Sequence, residues 1–147
     1  MIQRIQSLYI LISAMLIGFL YALPFAEILN NSKLYLFDIR GIVHQGTVEH
    51  DGMAITIFVS IILLLHIVDL FLYKRRILQI RILVFSIILL LGLFGMFYFF
   101  TYYSFTGADV SFKISVAFPL VAMVLDYLAI RNIGKDEALI RSIDRIR

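Results

Sequence analysis

An all-α membrane protein, a bundle of four transmembrane helices with one short extracytoplasmic β-hairpin and a C-terminal cytoplasmic amphipathic helix, is the fold class this sequence predicts. Three observations carry it. Apolar residues make up 62% of the 147-residue chain and mean hydropathy is +0.97, where soluble globules hold about 45–50% apolar residues. They gather in four runs close to the roughly 20 residues that cross a hydrocarbon core. All but Lys33, Arg40 and Lys113 of the thirteen Lys and Arg residues flank those runs on a single side once the runs are threaded alternately, which is the positive-inside signature.

The first run, residues 7–26, follows Arg4 and is too long for the about 7–15 apolar residues of a cleaved signal. It reads as a retained anchor. Gln3, Ser7, Ala14, Gly18 and Ala22 share one side of its helical wheel, and small residues on one side let another helix approach closely. Residues 27–52 form the long polar segment, with turn formers at Arg40-Gly41 and Gln45-Gly46 around alternating residues from Leu34 to Val43. That alternation predicts a two-stranded hairpin lying on the bundle. His44, Glu49, His50 and Asp51 match no ligand spacing, so no metal site is expected there.

The second run, residues 53–73, ends at Lys74-Arg75-Arg76. The third, residues 82–103, closes on Phe97-Tyr98-Phe99-Phe100 and Tyr102-Tyr103, rings that favour the headgroup level. The fourth, residues 112–130, carries Ser115, Pro119, Ala122 and Asp126 on one stripe, and Pro119 predicts a kink. Residues 131–147 are too polar for lipid, yet Ile133, Leu139, Ile140 and Ile143 recur at helical intervals beside Arg141 and Arg145. This predicts an amphipathic helix presenting a lipid or partner surface. The whole chain reads as a single membrane domain with both termini cytoplasmic.

Two acids lie inside the runs. Asp69 and Asp126 each stand five residues before a cation, and a carboxylate within a span costs about 2.5–3.5 kcal/mol unless water, a proton or a cation meets it. The expected arrangement is a structural ion-pair cluster with Arg4, Arg76, Arg81 or Arg131; the alternative is a proton or cation site in which His66 and Asp69 titrate together.

Composition also excludes chemistry. Without cysteine there is no disulfide, thiol nucleophile or Cys-ligated metal. No hydrolase, metalloprotease or phosphate-loop motif is present. No cofactor and no enzymatic activity are expected, and the net charge of +3 reports topology and not nucleic-acid binding.

The opening Met1-Ile2-Gln3-Arg4-Ile5-Gln6-Ser7-Leu8-Tyr9 and the closing segment, especially Lys135-Asp136-Glu137 and Arg141-Ser142-Ile143-Asp144-Arg145, resemble a four-span family of Gram-negative inner membranes known only as a domain of unknown function. The resemblance implies a location in the bacterial inner membrane and assigns no activity, so it transfers no site residue. Gly134 departs from the helix-favouring residue such a tail would carry, which makes it the weak point of the last helix. The functional expectation is a non-enzymatic accessory or scaffold protein of a larger membrane complex or homo-oligomer, in contact with membrane lipids. The alternative is a small proton- or cation-coupled transporter or channel using the intramembrane acids.

Overall fold

In the computed structural model, which describes residues 3–30, 33–104 and 107–144, a five-stranded antiparallel sheet sits on one end of four helices. The helices are α1 (Gln3–Phe19), α2 (Met53–Phe71), α3 (Arg76–Ser104) and α4 (Ala117–Asp144). The strands are β1 (Ala26–Asn30), β2 (Lys33–Asp38), β3 (Gly41–His44), β4 (Thr47–Asp51) and β5 (Asp109–Phe112). The fold is mixed α and β, and the all-α bundle with a simple hairpin is corrected.

The first correction is at the end of α1. The chain tightens there, with Leu20 N–H donating to Ile17 O and Tyr21 N–H to Gly18 O, both at 3.1 Å, the short-range bonding of a helix winding down. Pro24 then holds Leu23 away from helical geometry. Residues 20–26 thus leave the helix and feed β1, so α1 has only 17 residues. Three helices, α2, α3 and the one through Ile114–Ile140, are long and apolar enough to cross a membrane, while the apolar part of α1, Ile5–Phe19, is shorter.

Sheet order is β4-β3-β2-β1-β5, so strands from both connections at this end are woven together. β5 pairs with β1 from Ala26↔Phe112 to Leu29↔Asp109, and Lys113 N–H donates to Phe25 O at 2.8 Å. Lys113 also reaches Glu27 at 2.7 Å. The turns follow their residues. Gln45 and Gly46 both take positive φ, 48° and 85°, the backbone that a tight two-residue hairpin requires. At the β2–β3 turn, Asp38 accepts from Arg40 N–H at 2.7 Å and from its guanidinium at 3.1 and 2.7 Å; this carboxylate holds the Arg40 guanidinium above its ordinary pKa.

The inner face of the sheet packs on α3 through rings. Phe25 lies 4.6 Å from Phe97 and 5.2 Å from Phe37 between centroids, and Phe37 stacks on Phe100 at 5.9 Å. The aromatic end of the third run is therefore divided: Phe97 and Phe100 fill the core under the sheet, while Tyr98, Phe99 and Tyr102 face outward.

α2 is keyed to the sheet by Thr56, whose hydroxyl donates to Ile39 O at 2.7 Å. Thr56→Val keeps the shape and orphans that carbonyl. It is expected to cost about 1 kcal/mol, the usual net worth of such a bond, readable as a lowered midpoint of thermal unfolding in detergent.

α4 runs as one helix from Ala117 to Asp144. The separate amphipathic tail helix is thereby corrected, and Gly134 lies within the helix. Pro119 causes no mid-helix break, because it falls in the first turn, where the missing N–H has no helical partner to lose. α1 and α4 are antiparallel, with Phe19 beside Phe118 at one end and Gln6 Nε2 donating to Asp136 at 2.5 Å at the other. The described ends of the chain thus share the end of the bundle away from the sheet.

Candidate functional site: a buried polar layer

Each helix buries a seam whose residues alternate four and three apart, the spacing that keeps one side of a helix facing its neighbours. In α1 and the turn after it the seam runs Gln6, Ile10, Ser13, Ile17, Leu20; in α2, Ile55, Val59, Ile62, His66, Asp69. In α3 it runs Gln79, Leu83, Ser86, Leu90, Leu93, Phe97, and α4 contributes Ala122, Asp126, Ala129 and Ile133. The small-residue side expected for α1 only borders this seam: Ala14 is buried, Ser7 and Gly18 are half-buried and Ala22 is exposed.

Two apolar cores result. The larger contains Ile17, Val59, Ile62, Leu90 and Ala122 and continues under the sheet; the smaller contains Ile10, Leu83, Ala129 and Ile133. Along the seams, Ser13, His66, Ser86 and Asp126 fall where one core gives way to the other, one from each helix, all with 0% exposure. Asp69 and Gln79 follow below them on α2 and α3.

The centre of the layer is His66. Its Nδ1 lies 2.8 Å from Ile62 O, and a carbonyl only accepts, so Nδ1 carries a hydrogen. Nε2 faces both oxygens of Asp126, at 3.0 and 3.2 Å, and the Ser13 hydroxyl at 3.1 Å. Ser13 Oγ also lies 3.4 Å from Ala122 O. A proton therefore sits between Nε2 and Asp126, either making an imidazolium–carboxylate pair or neutralising both groups. Asp69, three residues and one turn from His66, has no hydrogen-bond partner for either carboxylate oxygen among the described residues. Its backbone carbonyl accepts from Gln79 Nε2 at 3.3 Å.

Arg76, Arg81 and Arg131 do not pair with the two acids as expected. Among the described residues Asp126 pairs with histidine, and no described arginine pairs with either acid. Arg131 is exposed, and Arg76 opens α3 with a buried Nη1 that has no hydrogen-bond partner among the described residues. The Arg4 side chain lies outside the described residues, as do those of Arg141, Ile143 and Arg145. In the tail, Ile133 is no surface residue: it is buried against Ile10, Leu83 and Ala129, whereas Leu139 and Ile140 are exposed. His44 Nδ1 donates to Leu34 O at 2.8 Å, and no group of three metal-ligating side chains is found among the described residues.

Sequence reading singled out His66, Asp69 and Asp126 and missed Ser13, Ser86 and Gln79. A signal for them exists. Gln6 and Ser13, like Gln79 and Ser86, are seven apart in otherwise apolar runs, so they return to the same side of a packed helix.

The outside of the helices has the opposite character. Leu64, Phe71, Ile88, Leu91, Leu120 and Val124 are all more than half exposed. Apolar surface of that extent is unfavourable in water and at home in lipid. Together with three helices long and apolar enough to cross a bilayer, this defines a multi-pass membrane protein. Residues 2–146 match the family described as Domain of unknown function (DUF4293), and the chain belongs to that family. No curated protein and no solved structure matches it.

Proposed function

We propose that this protein is a small proton-coupled membrane transporter or channel component, with His66, Asp126 and Asp69 taking up and releasing a proton inside the bundle. The observation that supports this reading is a fully buried His66–Asp126 pair with a second buried carboxylate, Asp69, beside it and unpartnered among the described residues. A His–Asp pair alone accounts for pinning α2 to α4. An added buried carboxylate without a partner contributes no such pin, and ionisable groups inside spans mark ion pathways and proton relays. The bare-cation version is less well supported, since hard cations take six or more oxygen ligands. No covalent bond is made or broken in this reading, which is non-enzymatic.

The cation-rich end, with Lys74, Arg75, Arg76, Arg81 and Arg131, would face the cytoplasm by the positive-inside rule. In this reading the described ends of the chain lie inside and the sheet lies on the outer side of a bacterial inner membrane.

The test is proton flux in proteoliposomes carrying an interior pH dye under an imposed potassium diffusion potential. Wild-type protein should acidify the lumen faster than empty vesicles, and the near-isosteric His66→Gln and Asp126→Asn should abolish the difference while remaining monodisperse. Wild-type flux equal to that of empty vesicles would reject the reading.

A second reading, a non-enzymatic accessory or scaffold protein of a larger complex or homo-oligomer, draws on α4. Residues 131–144 carry that helix about 20 Å further at 1.5 Å per residue, with Leu139 and Ile140 exposed. Crosslinking in membranes that traps one stoichiometric partner on this segment would favour it.

A further inference from the structure

At the end of the bundle away from the sheet, the α2–α3 turn and α4 border an open cavity of about 650 Å³. Four cations among the described residues line it, Lys74, Arg75, Arg76 and Arg81, against one carboxylate, Glu137. Among the described residues none of the four is in a salt bridge, and Arg76 holds a buried Nη1 with no hydrogen-bond partner. Cations so close repel one another, and an anion between them relieves that repulsion.

The backbone adds donors of the same polarity. α3 begins at Arg76, and the amides of Arg76, Ile77 and Leu78 belong to a first turn, where no helical carbonyl is available to them. No acidic residue occupies that turn. All three residues line the cavity, and the N-terminus of a long helix favours negative charge. Guanidinium groups and first-turn amides together are the donor set that suits a phosphate.

The rest of the wall is apolar. Tyr73, Ile77, Leu78 and Ile140 line the same cavity, and it lies just beyond Phe71, which is 76% exposed on the lipid-facing side of α2. A free phosphate would have no use for that wall. A phospholipid uses both parts: its phosphate among the cations, and its glycerol and upper acyl carbons over the apolar residues toward Phe71.

We propose that this cavity binds the phosphate of an anionic phospholipid, with Arg76 and the first-turn amides of α3 holding the phosphate oxygens and Arg81 completing the charge. The site is separate from the His66 layer and does not depend on the proton reading.

The experiment follows thermal unfolding of the purified protein in neutral detergent while phosphatidylglycerol, phosphatidylcholine or inorganic phosphate is added. Phosphatidylglycerol should raise the midpoint saturably and phosphatidylcholine should not. Arg76→Gln and Arg81→Gln should each weaken half-saturation about ten-fold, the loss expected for one charge-assisted bond. Arg81 is exposed, so its variant keeps the test intact if Arg76→Gln fails to fold. Arg131→Gln, an exposed charge that does not line the cavity, should leave half-saturation within about two-fold, since solvent screens an exposed charge that makes no contact with the ligand.

Equal stabilisation by the two lipids, or equal loss in Arg131→Gln and Arg81→Gln, would mean diffuse surface charge and overturn the site. Saturation by inorganic phosphate with no further effect of phosphatidylglycerol would assign the cavity to a soluble anion and overturn the lipid.

Discussion

Replacing His66 by leucine while Asp126 is kept should destabilise the bundle by about 3–5 kcal/mol, because it leaves a buried carboxylate without its partner. Asp126→Leu alone should do comparable harm, since Nε2 then keeps only the Ser13 hydroxyl. The double variant should recover most of the loss. Two leucines extend the apolar cores on either side, and a buried pair replaced as a whole by apolar residues is often neutral or better. Unfolding of all four proteins in detergent closes the cycle, and a coupling below about 0.5 kcal/mol, the level of independent sites, would show that the contact does not hold α2 to α4. The double variant also separates assembly from transport. It should stand folded and yet conduct no proton, whereas persistent flux would remove His66 and Asp126 from any proton path.

The sequence disclosed the helices better than the sheet, and the reason lies in where each element finds its partners. α2, α3 and α4 are apolar over lengths that a local reading detects, and Asp69 and Asp126 stand out because charge is rare in such runs. β5 has four residues and exists through its pairing with β1, some eighty positions earlier, which no window of local sequence contains. β4 is exposed at every position, so it lacks the alternation by which a half-buried strand announces itself. β1 was hidden for the opposite reason: Ala26 looks like the end of an apolar helix, and Ile28 like part of the polar loop, until Pro24 is recognised as the helix's stop. Within the site, His66 and Asp126 were both visible but their pairing was not. Arginines dominated the expectation because they are near in sequence, while the fold brings α2 and α4 together sixty positions apart.

Gly41→Ala should cost about 3 kcal/mol or more, by adding backbone strain of about 1–3 kcal/mol to a steric clash of similar size, and Gly52→Ala about 1–3 kcal/mol from the clash alone. Gly41 sits at φ +114°, and a Cβ there would meet the backbone of His50, Asp51 and Gly52; one on Gly52 would meet Arg40 and Gly41 in return. The two glycines thus close the contact where β4 hands the chain to α2, fixed by Gly52 N–H donating to Arg40 O at 2.7 Å. Neither neighbour can yield, because both are backbone. Parting them would loosen the β3–β4 pairing and pull the first turn of α2 from Thr56 and its bond to Ile39 O. Gly134→Ala is the matched control: a Cβ there meets nothing within 4 Å, and removing a mid-helix glycine should stabilise α4 by roughly 0.5–1 kcal/mol. Opposite shifts of the unfolding midpoint for Gly41→Ala and Gly134→Ala are therefore expected in the same detergent. Shifts of the same sign would mean that the joint between sheet and helix is not the close backbone contact described.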